Sequence, residues 1–309
     1  MRLLITGGAG SLGSALIEHL ASKCEAIAVL DNFATGKRGA LPPGVAVLVV
    51  EGSIADHSIV NSLFDSFVPT HVIHSAASYK DPNNWEEDAL TNVVGTTHVV
   101  RASERHSVKR FINFQTALCY GRPNEVPIPI THHTAPFTSY GITKTAGEAF
   151  LKASSLNSVS FRLANVTGPR LAIGPIPTFY KRLKAGEACS VSTTVRDFID
   201  MEDFLSLMDI AISDDAPQGV FNVSTGEGHT IEEVFRAVAN HLGFSDAEPA
   251  SINAPGPDDV AAVVLDPSVT SKEFGWEAKI GFSETMTRIL SWYDANGITD
   301  IYSHLQNKG

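Results

Sequence analysis

Short unbroken apolar runs alternate along the chain with longer stretches in which apolar residues recur every three or four positions. The runs are Leu3–Thr6, Ala26–Leu30, Val45–Val50, His71–His74, Arg110–Phe114, Ser158–Leu163 and Val220–Val223. Each predicts a strand. Between them, Ser11–Ala21, Ser58–Ser66, Trp85–Ser103 and Tyr140–Ala153 carry the helical period. Strand alternating with helix through the first half implies an α/β protein with a doubly wound parallel sheet, helices covering both faces. Strands buried on both sides lose the in-out alternation of a half-buried strand and read as continuous apolar runs.

The texture changes after about residue 165. Pro169, Pro175 and Pro177 break the chain into loop-like pieces, and Glu248–Asp259 is a second Pro/Gly-rich stretch. Helical signals return at Ile231–Leu242 and Ser283–Asn296. The expected organisation is a first domain over 1–168, with returning segments near 197–224, and a smaller region over 169–309 interleaved with it. The sequence shows no internal repeat and no low-complexity segment.

With 309 residues, a prior of about 150 per domain accommodates this division. Hydrophobic residues make up 43% of the chain, enough for a substantial core, which excludes a disordered chain. Lys and Arg total 23 against 34 Asp and Glu, a formal net charge of −11. That charge repels phosphate backbones at long range, so nucleic acid is not the expected partner. A small phosphorylated ligand remains compatible, because helix N-termini and single arginines act locally. Cys24, Cys119 and Cys189 are far apart and form no Cys-x-x-Cys pair, so reduced thiols are expected. His132 and His133 have no ligand partner at zinc spacing, and no metal site is expected. Met1 leads directly into a strand-like segment, and no apolar run approaches the ~20 residues that span a bilayer. A soluble cytoplasmic protein without a membrane partner is therefore expected.

The first candidate chemistry lies in the turn after the first strand. Gly7, Gly10 and Gly13 form Gly-x-x-Gly-x-x-Gly. The first glycine permits the sharp turn, the second lets a pyrophosphate approach the backbone, and the third lets helix pack closely on strand. The helix N-terminus supplies free N–H groups and the positive end of its dipole. Asp31 stands at the end of the second strand, 18 residues after Gly13, placed to accept from both ribose hydroxyls of an adenosine. Strand, glycines, helix, strand and acid in this order predict dinucleotide binding. Asp31 disfavours a 2′-phosphate, so NAD is expected over NADP, although Lys37 and Arg38 follow closely.

The second candidate is Tyr140-Gly-Ile-Thr-Lys144, which puts Tyr and Lys on one helix face. A phenol with pKa near ~10 is a poor base at neutral pH. Lowering it by ~3 units takes about 4 kcal/mol of differential stabilisation, within reach of a nearby ammonium and an oxidised nicotinamide. Seen alone, the pair is better read as an ordinary helix with a packed Tyr and a solvated Lys. The dinucleotide turn reverses that weighting.

Together these motifs resemble the extended short-chain dehydrogenase/reductases, in particular the NAD-dependent nucleotide-sugar epimerases and dehydratases. The resemblance covers nearly the whole chain. Ile5-Thr6-Gly7-Gly8-Ala9-Gly10 is similar to the family's phosphate loop, Asp31–Arg38 to its ribose-binding segment, and His74-Ser75-Ala76-Ala77 to its fourth strand end. Asn92-Val93-Val94-Gly95-Thr96 and Arg162-Leu163-Ala164-Asn165-Val166-Thr167-Gly168-Pro169 also resemble family segments. A Rossmann-type doubly wound sheet with a smaller C-terminal substrate-binding region is implied. The resemblance implies that Thr116, Tyr140 and Lys144 are catalytic: Thr116 and Tyr140 meet the sugar hydroxyl being oxidised, while Lys144 holds the nicotinamide ribose and tunes Tyr140. It implies that NAD lies along Gly7, Gly10, Ser11, Leu12 and Gly13, along Asp31, Asn32 and Gly36, and beside Ser53 and Ile54. Farther on, the cofactor would meet Ser75, Ala76, Ala77, Lys80, Asn92, Tyr140 and Lys144. Lys80, Thr116, Asn165 and Arg196 would face the substrate, Arg196 at its diphosphate.

The departures from the family pattern select among reactions. Dehydratases carry an Asp-Glu pair directly after the catalytic Thr, and decarboxylases usually a Glu at the second position. Ala117 and Leu118 stand here and transfer no proton. Epimerisation needs only reversible hydride transfer at one carbon, proton exchange by Tyr140, and rotation of a transient 4-keto intermediate. The expected reaction is therefore 4-epimerisation of a nucleotide-diphosphate sugar, UDP-linked for preference, with NAD recycled. The competing readings are a ketosugar reductase or dehydratase of the same family, and a non-catalytic dinucleotide-binding regulator. Ser53 replaces an adenine-reading Asp, and Gln115 a small residue. No arginine precedes Pro255-Gly256-Pro257-Asp258, where the family often has one for phosphate; Arg182 or Arg170 would have to substitute. These departures resemble enzymes of bacterial surface-polysaccharide clusters. The helices at Trp85–Ser103 and Tyr140–Ala153 resemble those that pair such enzymes into homodimers through a four-helix bundle.

Overall fold

The computed structural model describes residues 1–79, 81–256 and 259–298. The chain enters through β1 (Arg2–Thr6), turns into α1 (Ser11–Leu20), and continues as β2 (Ala26–Asp31), β3 (Val47–Glu51), α2 (His57–Phe67) and β4 (His71–His74). A helical stretch follows, made of α3 (Trp85–Asp88), a π-helical segment (Ala89–Gly95) and α4 (Thr96–Arg105). Next come β5 (Arg110–Thr116), α5 (Ser139–Lys152) and β6 (Ser158–Leu163). The second half comprises β7 (Asn165–Thr167), α6 (Pro175–Lys184), β8 (Ser190–Ser192), β9 (Val195–Arg196), β10 (Phe198–Asp200), α7 (Met201–Ala211) and β11 (Gly219–Val223). It ends with β12 (His229–Thr230), α8 (Ile231–His241), β13 (Ser251–Asn253), β14 (Ala262–Val263), α9 (Ser268–Phe274) and α10 (Phe282–Asn296).

Seven strands form the central sheet in the order β11-β6-β5-β4-β1-β2-β3, with every pairing parallel. Successive strands run outward in one direction from β1 and in the other from β4. The β1/β4 boundary is thus the switch point, where the crevice outside the strand ends receives ligands in such sheets. The register places Thr6 opposite His74 across that boundary. Side chains of β1 alternate between two cores. Leu3 and Ile5 pack with Leu16, Phe204 and Met208 on one face, and Leu4 packs with Phe64, Val99 and Phe111 on the other. Double-sided burial is the physical origin of the unbroken apolar runs in the sequence. A third core joins α6, α8 and α10 through Phe179, Val234, Phe235, Leu290 and Tyr293.

Two elements depart from expectation. The helix expected over Trp85–Ser103 is interrupted by seven π-helical residues, a widening of the kind found at functional sites. There the Thr96 hydroxyl donates to the Asn92 carbonyl at 2.7 Å. A Cβ on Gly147 of α5 would meet that same carbonyl at 2.6 Å, so the two helices touch backbone to backbone. Second, Pro175 and Pro177 do not break the chain but open α6. Proline fits the first turn because its missing N–H has no intrahelical partner there. Among the described residues no helix is long and apolar enough to cross a membrane.

Candidate active site

A cleft of about 1070 Å³ opens along the carboxyl ends of the strands. One end is built by the glycine-rich turn. Gly7 holds φ +68°, in the left-handed region, and a Cβ there would press on the Ala76 backbone at 2.7 Å. Gly13 packs so closely that its Cβ would stand 2.5 Å from the Gly7 carbonyl. Gly10 caps α1 with no side chain covering the first N–H groups. Asp31 is buried, and its two oxygens accept from the Ala9 N–H at 2.9 Å and the Phe33 N–H at 2.8 Å. Each oxygen keeps further lone pairs, and the residue lines the cleft. An uncapped helix N-terminus, an open approach at Gly10 and a carboxylate at the end of β2 together fit a dinucleotide.

The structure brings most of the sequence-derived candidates onto this cleft. Gly7, Gly10, Ser11, Leu12, Asp31, Asn32 and Gly36 line it, as do Ser53, Ile54, Ser75, Ala76 and Ala77. Thr116, Tyr140, Lys144 and Asn165 line its middle. Lys80 lies outside the described residues, as do Pro257 and Asp258. Gly13 is set back from the lining and acts by packing α1 onto the turn.

Two candidates are placed differently from expectation. Asn92 is buried, and both its amide N–H groups and its Oδ1 are engaged inside the protein. Its Oδ1 accepts from the Ser78 N–H at 2.8 Å, and its amide donates to the Ser78 carbonyl at 2.9 Å and to Thr143 Oγ1 at 3.0 Å. It shapes the loop after β4 rather than facing a ligand. Arg196 is not among the cleft-lining residues. Its guanidinium pairs with Asp259 and donates to the Val195 and Val260 carbonyls, both at 2.8 Å. A buried guanidinium needs such partners, and burial holds its pKa below the ordinary value against the pull of Asp259. Of the two substitute arginines, Arg170 lines the cleft and pairs with Glu18 at 3.2 Å, whereas Arg182 donates to the Ala188 carbonyl away from it.

The middle of the cleft has a distinctive electrostatic floor. Lys144 is buried, and burial pushes its pKa down to about 8, with Glu148 pulling the other way. Glu148 is itself engaged by Arg162 at 2.7 Å and by the Ser160 hydroxyl at 2.9 Å. His74 is fully buried between the Thr6 and Thr96 hydroxyls at 2.8 and 2.9 Å. Burial, aided by Lys144, drives its pKa to about 3, so it stays neutral and is a packing residue. Thr116 Oγ1 accepts from the Leu118 N–H at 3.2 Å, and the Thr116 N–H donates to Gln115 Oε1 at 2.7 Å. Gln115 thus fixes the backbone that carries the Thr116 hydroxyl. Cys119 is buried, its thiol pushed up to about 12, and serves packing.

Residues at and directly behind the cleft lining were not singled out from sequence. Tyr79 lines the cleft with its ring centroid 5.8 Å from that of Tyr140. Asp88, four residues before Asn92, accepts from Ser78 and Ser139. The i, i+4 relation of Asp88 to Asn92 on one helix face was the available signal.

Over residues 3–224 the chain matches the NAD dependent epimerase/dehydratase family, and it belongs to that family. The Bordetella bronchiseptica enzyme WbmG, crystallised with NAD, is 62% identical, superposes with a TM-score of 0.93, and is matched over 99% of this chain and 98% of its own. The same enzyme in complex with NAD and UDP gives a TM-score of 0.92. WbmH from that organism, in complex with NAD+, is 40% identical with a TM-score of 0.90, covering 96% of this chain and 99% of its own. The UDP-glucose 4-epimerase of Halalkalibacterium halodurans is 30% identical over 319 residues, 93% of each chain.

Proposed function

We propose that this protein is an NAD-dependent 4-epimerase of a UDP-sugar. The observation that carries this reading is the convergence of Thr116, Tyr140 and Lys144 on the cleft that begins at the glycine-rich turn. Thr116 is followed by Ala117 and Leu118, which have no proton to give or take. When bound, NAD supplies a hydride acceptor that returns the hydride in the second half of the reaction. Tyr140 takes the proton of the C4 hydroxyl as the base and gives it back to the same oxygen once the 4-keto sugar has rotated to present the opposite face of C4 to the returning hydride. Thr116 hydrogen-bonds the same oxygen. Lys144, with a pKa near 8, remains mostly an ammonium at neutral pH and favours the Tyr140 phenolate. The missing carboxylates after Thr116 deny the elimination chemistry a dehydratase needs.

We assign the cofactor to the cleft-lining candidates of the first domain, 1–168 with its segments returning near 197–224, and the sugar nucleotide to the side formed by Asn165 and the 169–309 region. We also propose a homodimer. Leu90 and Val94 on the π-helical stretch and Ile142 and Phe150 on the neighbouring α5 are exposed apolar residues, an arrangement that suits a four-helix bundle with a second copy. On the separated cysteines and the lack of a bilayer-spanning apolar run we place the protein in the cytoplasm, and on the sequence resemblance alone its product in the supply of a surface polysaccharide.

The test is proton NMR of the purified protein with a panel of UDP-sugars and no added cofactor. New anomeric signals at unchanged product mass are expected, and Tyr140→Phe should abolish them. A product lighter by one water would identify a dehydratase. Silence across the panel, with NAD still bound, would overturn the epimerase reading.

A further inference from the structure

Asp88 is a carboxylate with 1% exposure on the last residue of α3, behind the cleft lining to which its neighbour Glu87 belongs. Its Oδ1 accepts from the Ser78 hydroxyl at 2.8 Å and its Oδ2 from the Ser139 hydroxyl at 2.7 Å. These serines lie on different elements. Ser78 is in the loop after β4, and Ser139 opens α5. Each directly precedes a cleft-lining tyrosine, Tyr79 and Tyr140, and the two rings touch at 5.8 Å with 57° between their planes. One helical turn on, Asn92 grips the Ser78 backbone on both its N–H and its carbonyl, and also the Thr143 hydroxyl of α5.

We infer that Asp88 is a positioning residue for the reaction, bridging Ser78 and Ser139 so that the loop carrying Tyr79 stays in register with the helix turn carrying Tyr140. The inference rests on the epimerase reading of the same cleft. With a hydroxyl donor on each oxygen, the carboxylate fixes the direction of both serine hydroxyls. Loss of the bridge would leave two serines without their buried acceptor and let the loop and the helix turn drift independently. A displacement of about 1 Å at a reacting group is enough to cost on the order of 100-fold in rate.

The experiment compares Asp88→Ala, Asp88→Asn, Ser78→Ala and Ser139→Ala in the holoenzyme. An amide at position 88 accepts from one serine through its oxygen and donates to the oxygen of the other, so Asp88→Asn keeps the bridge. Asp88→Ala should lose on the order of 30- to 100-fold in kcat, with KM changed less than about 3-fold and NAD retained. Asp88→Asn should recover most of that loss. Each serine variant should lower kcat on its own and add little on top of Asp88→Ala, the non-additivity expected of one network. Amide hydrogen exchange supplies a readout independent of the reaction. Exchange at residues 76–79 and 139–144 should rise together in Asp88→Ala and stay near wild type in Asp88→Asn. If Asp88→Ala does not fold, Ser139→Ala and Asp88→Asn carry the same comparison.

Equal losses in Asp88→Asn and Asp88→Ala, additive serine effects, or unchanged exchange in both segments would overturn the inference. A wild-type protein that epimerises no sugar would instead overturn the proposed function. The exchange data would still decide the bridge.

Discussion

Arg162 on β6 donates to Glu148 on α5 at 2.7 Å, with 8% and 4% of the two side chains exposed, one helical turn beyond Lys144. The guanidinium also lies 4.9 Å from the Tyr120 ring, and the Tyr120 hydroxyl donates to Asn222 at 2.7 Å on β11. The helix that carries the proposed catalytic pair is thereby tied through the sheet to its far edge. Removing one partner of a buried pair strands the other charge. Glu148→Ala should cost about 3–5 kcal/mol in urea unfolding, and Glu148→Leu combined with Arg162→Met should recover much of it. A single-variant loss below about 1 kcal/mol would show the pair to be solvated in solution.

Lys144 makes the stability of the cofactor-stripped protein depend on pH. Its pKa is about 8 in the fold against an ordinary 10.5. Between these values the unfolded chain binds the extra proton, so stability rises with pH through that window. Below it both states are protonated and the burial penalty is constant; above it both are neutral and the penalty vanishes. Wild type should therefore trail Lys144→Met by about 3 kcal/mol below the window, the gap closing as pH rises through it. Unfolding curves of both proteins across the window provide the check. A pH-independent gap would mean that Lys144 is hydrated in the fold.

Two glycines of the turn should fail in different ways. A Cβ on Gly13 would sit 2.5 and 2.6 Å from backbone atoms of Gly7 and Gly8, which cannot yield. Gly13→Ala should destabilise the protein by about 1–3 kcal/mol even without cofactor. On Gly10 the nearest atom would be 3.3 Å away, so Gly10→Ala should fold nearly normally. Its methyl group stands where a pyrophosphate approaches, and NAD affinity should drop at least about tenfold. Thermal unfolding with and without NAD separates the two. Equal thermal losses in the two variants would contradict this division of roles.

The exposed apolar face on the π-helical stretch and α5 is predicted to close on a second copy. Phe150 is 50% exposed and Leu90 42%. Phe150→Asp would place a charge at the centre of that contact. Light scattering should then report a mass near the 33.0 kDa of one chain where wild type shows twice that. A wild-type monomer would remove the bundle from consideration.

Much of the cleft was legible in the sequence because its chemistry is local. The glycine spacing, Asp31 at a strand end and the Tyr140/Lys144 spacing each follow from one element or one turn, and the structure puts Gly7, Gly10, Asp31, Tyr140 and Lys144 on one cleft, with Gly13 packed behind it. Residues whose role depends on a distant partner were not legible. Asn92 reads as a cofactor contact until Ser78 and Thr143 are seen to occupy it. Arg196 reads as a phosphate ligand until Asp259 is found beside it. Asp88 and Glu148 carry no mark of their role in the sequence, since nothing in their neighbourhood along the chain foretells Ser139 or Arg162. Pro175 and Pro177 were misleading for another reason: a proline that ends one helix opens the next, and only the backbone shows which.

The sequence by itself determined the α/β layering, the glycine-rich turn and the spacing that puts Tyr140 and Lys144 on one helix face. Strand burial, glycine geometry and helix spacing are written in residues close along the chain. Tertiary structure alone decided which carboxylates and amides hold that machinery in place. Those bonds join residues 10 to 63 positions apart, and such pairings exist only once the sheet has brought its strand ends and helices together.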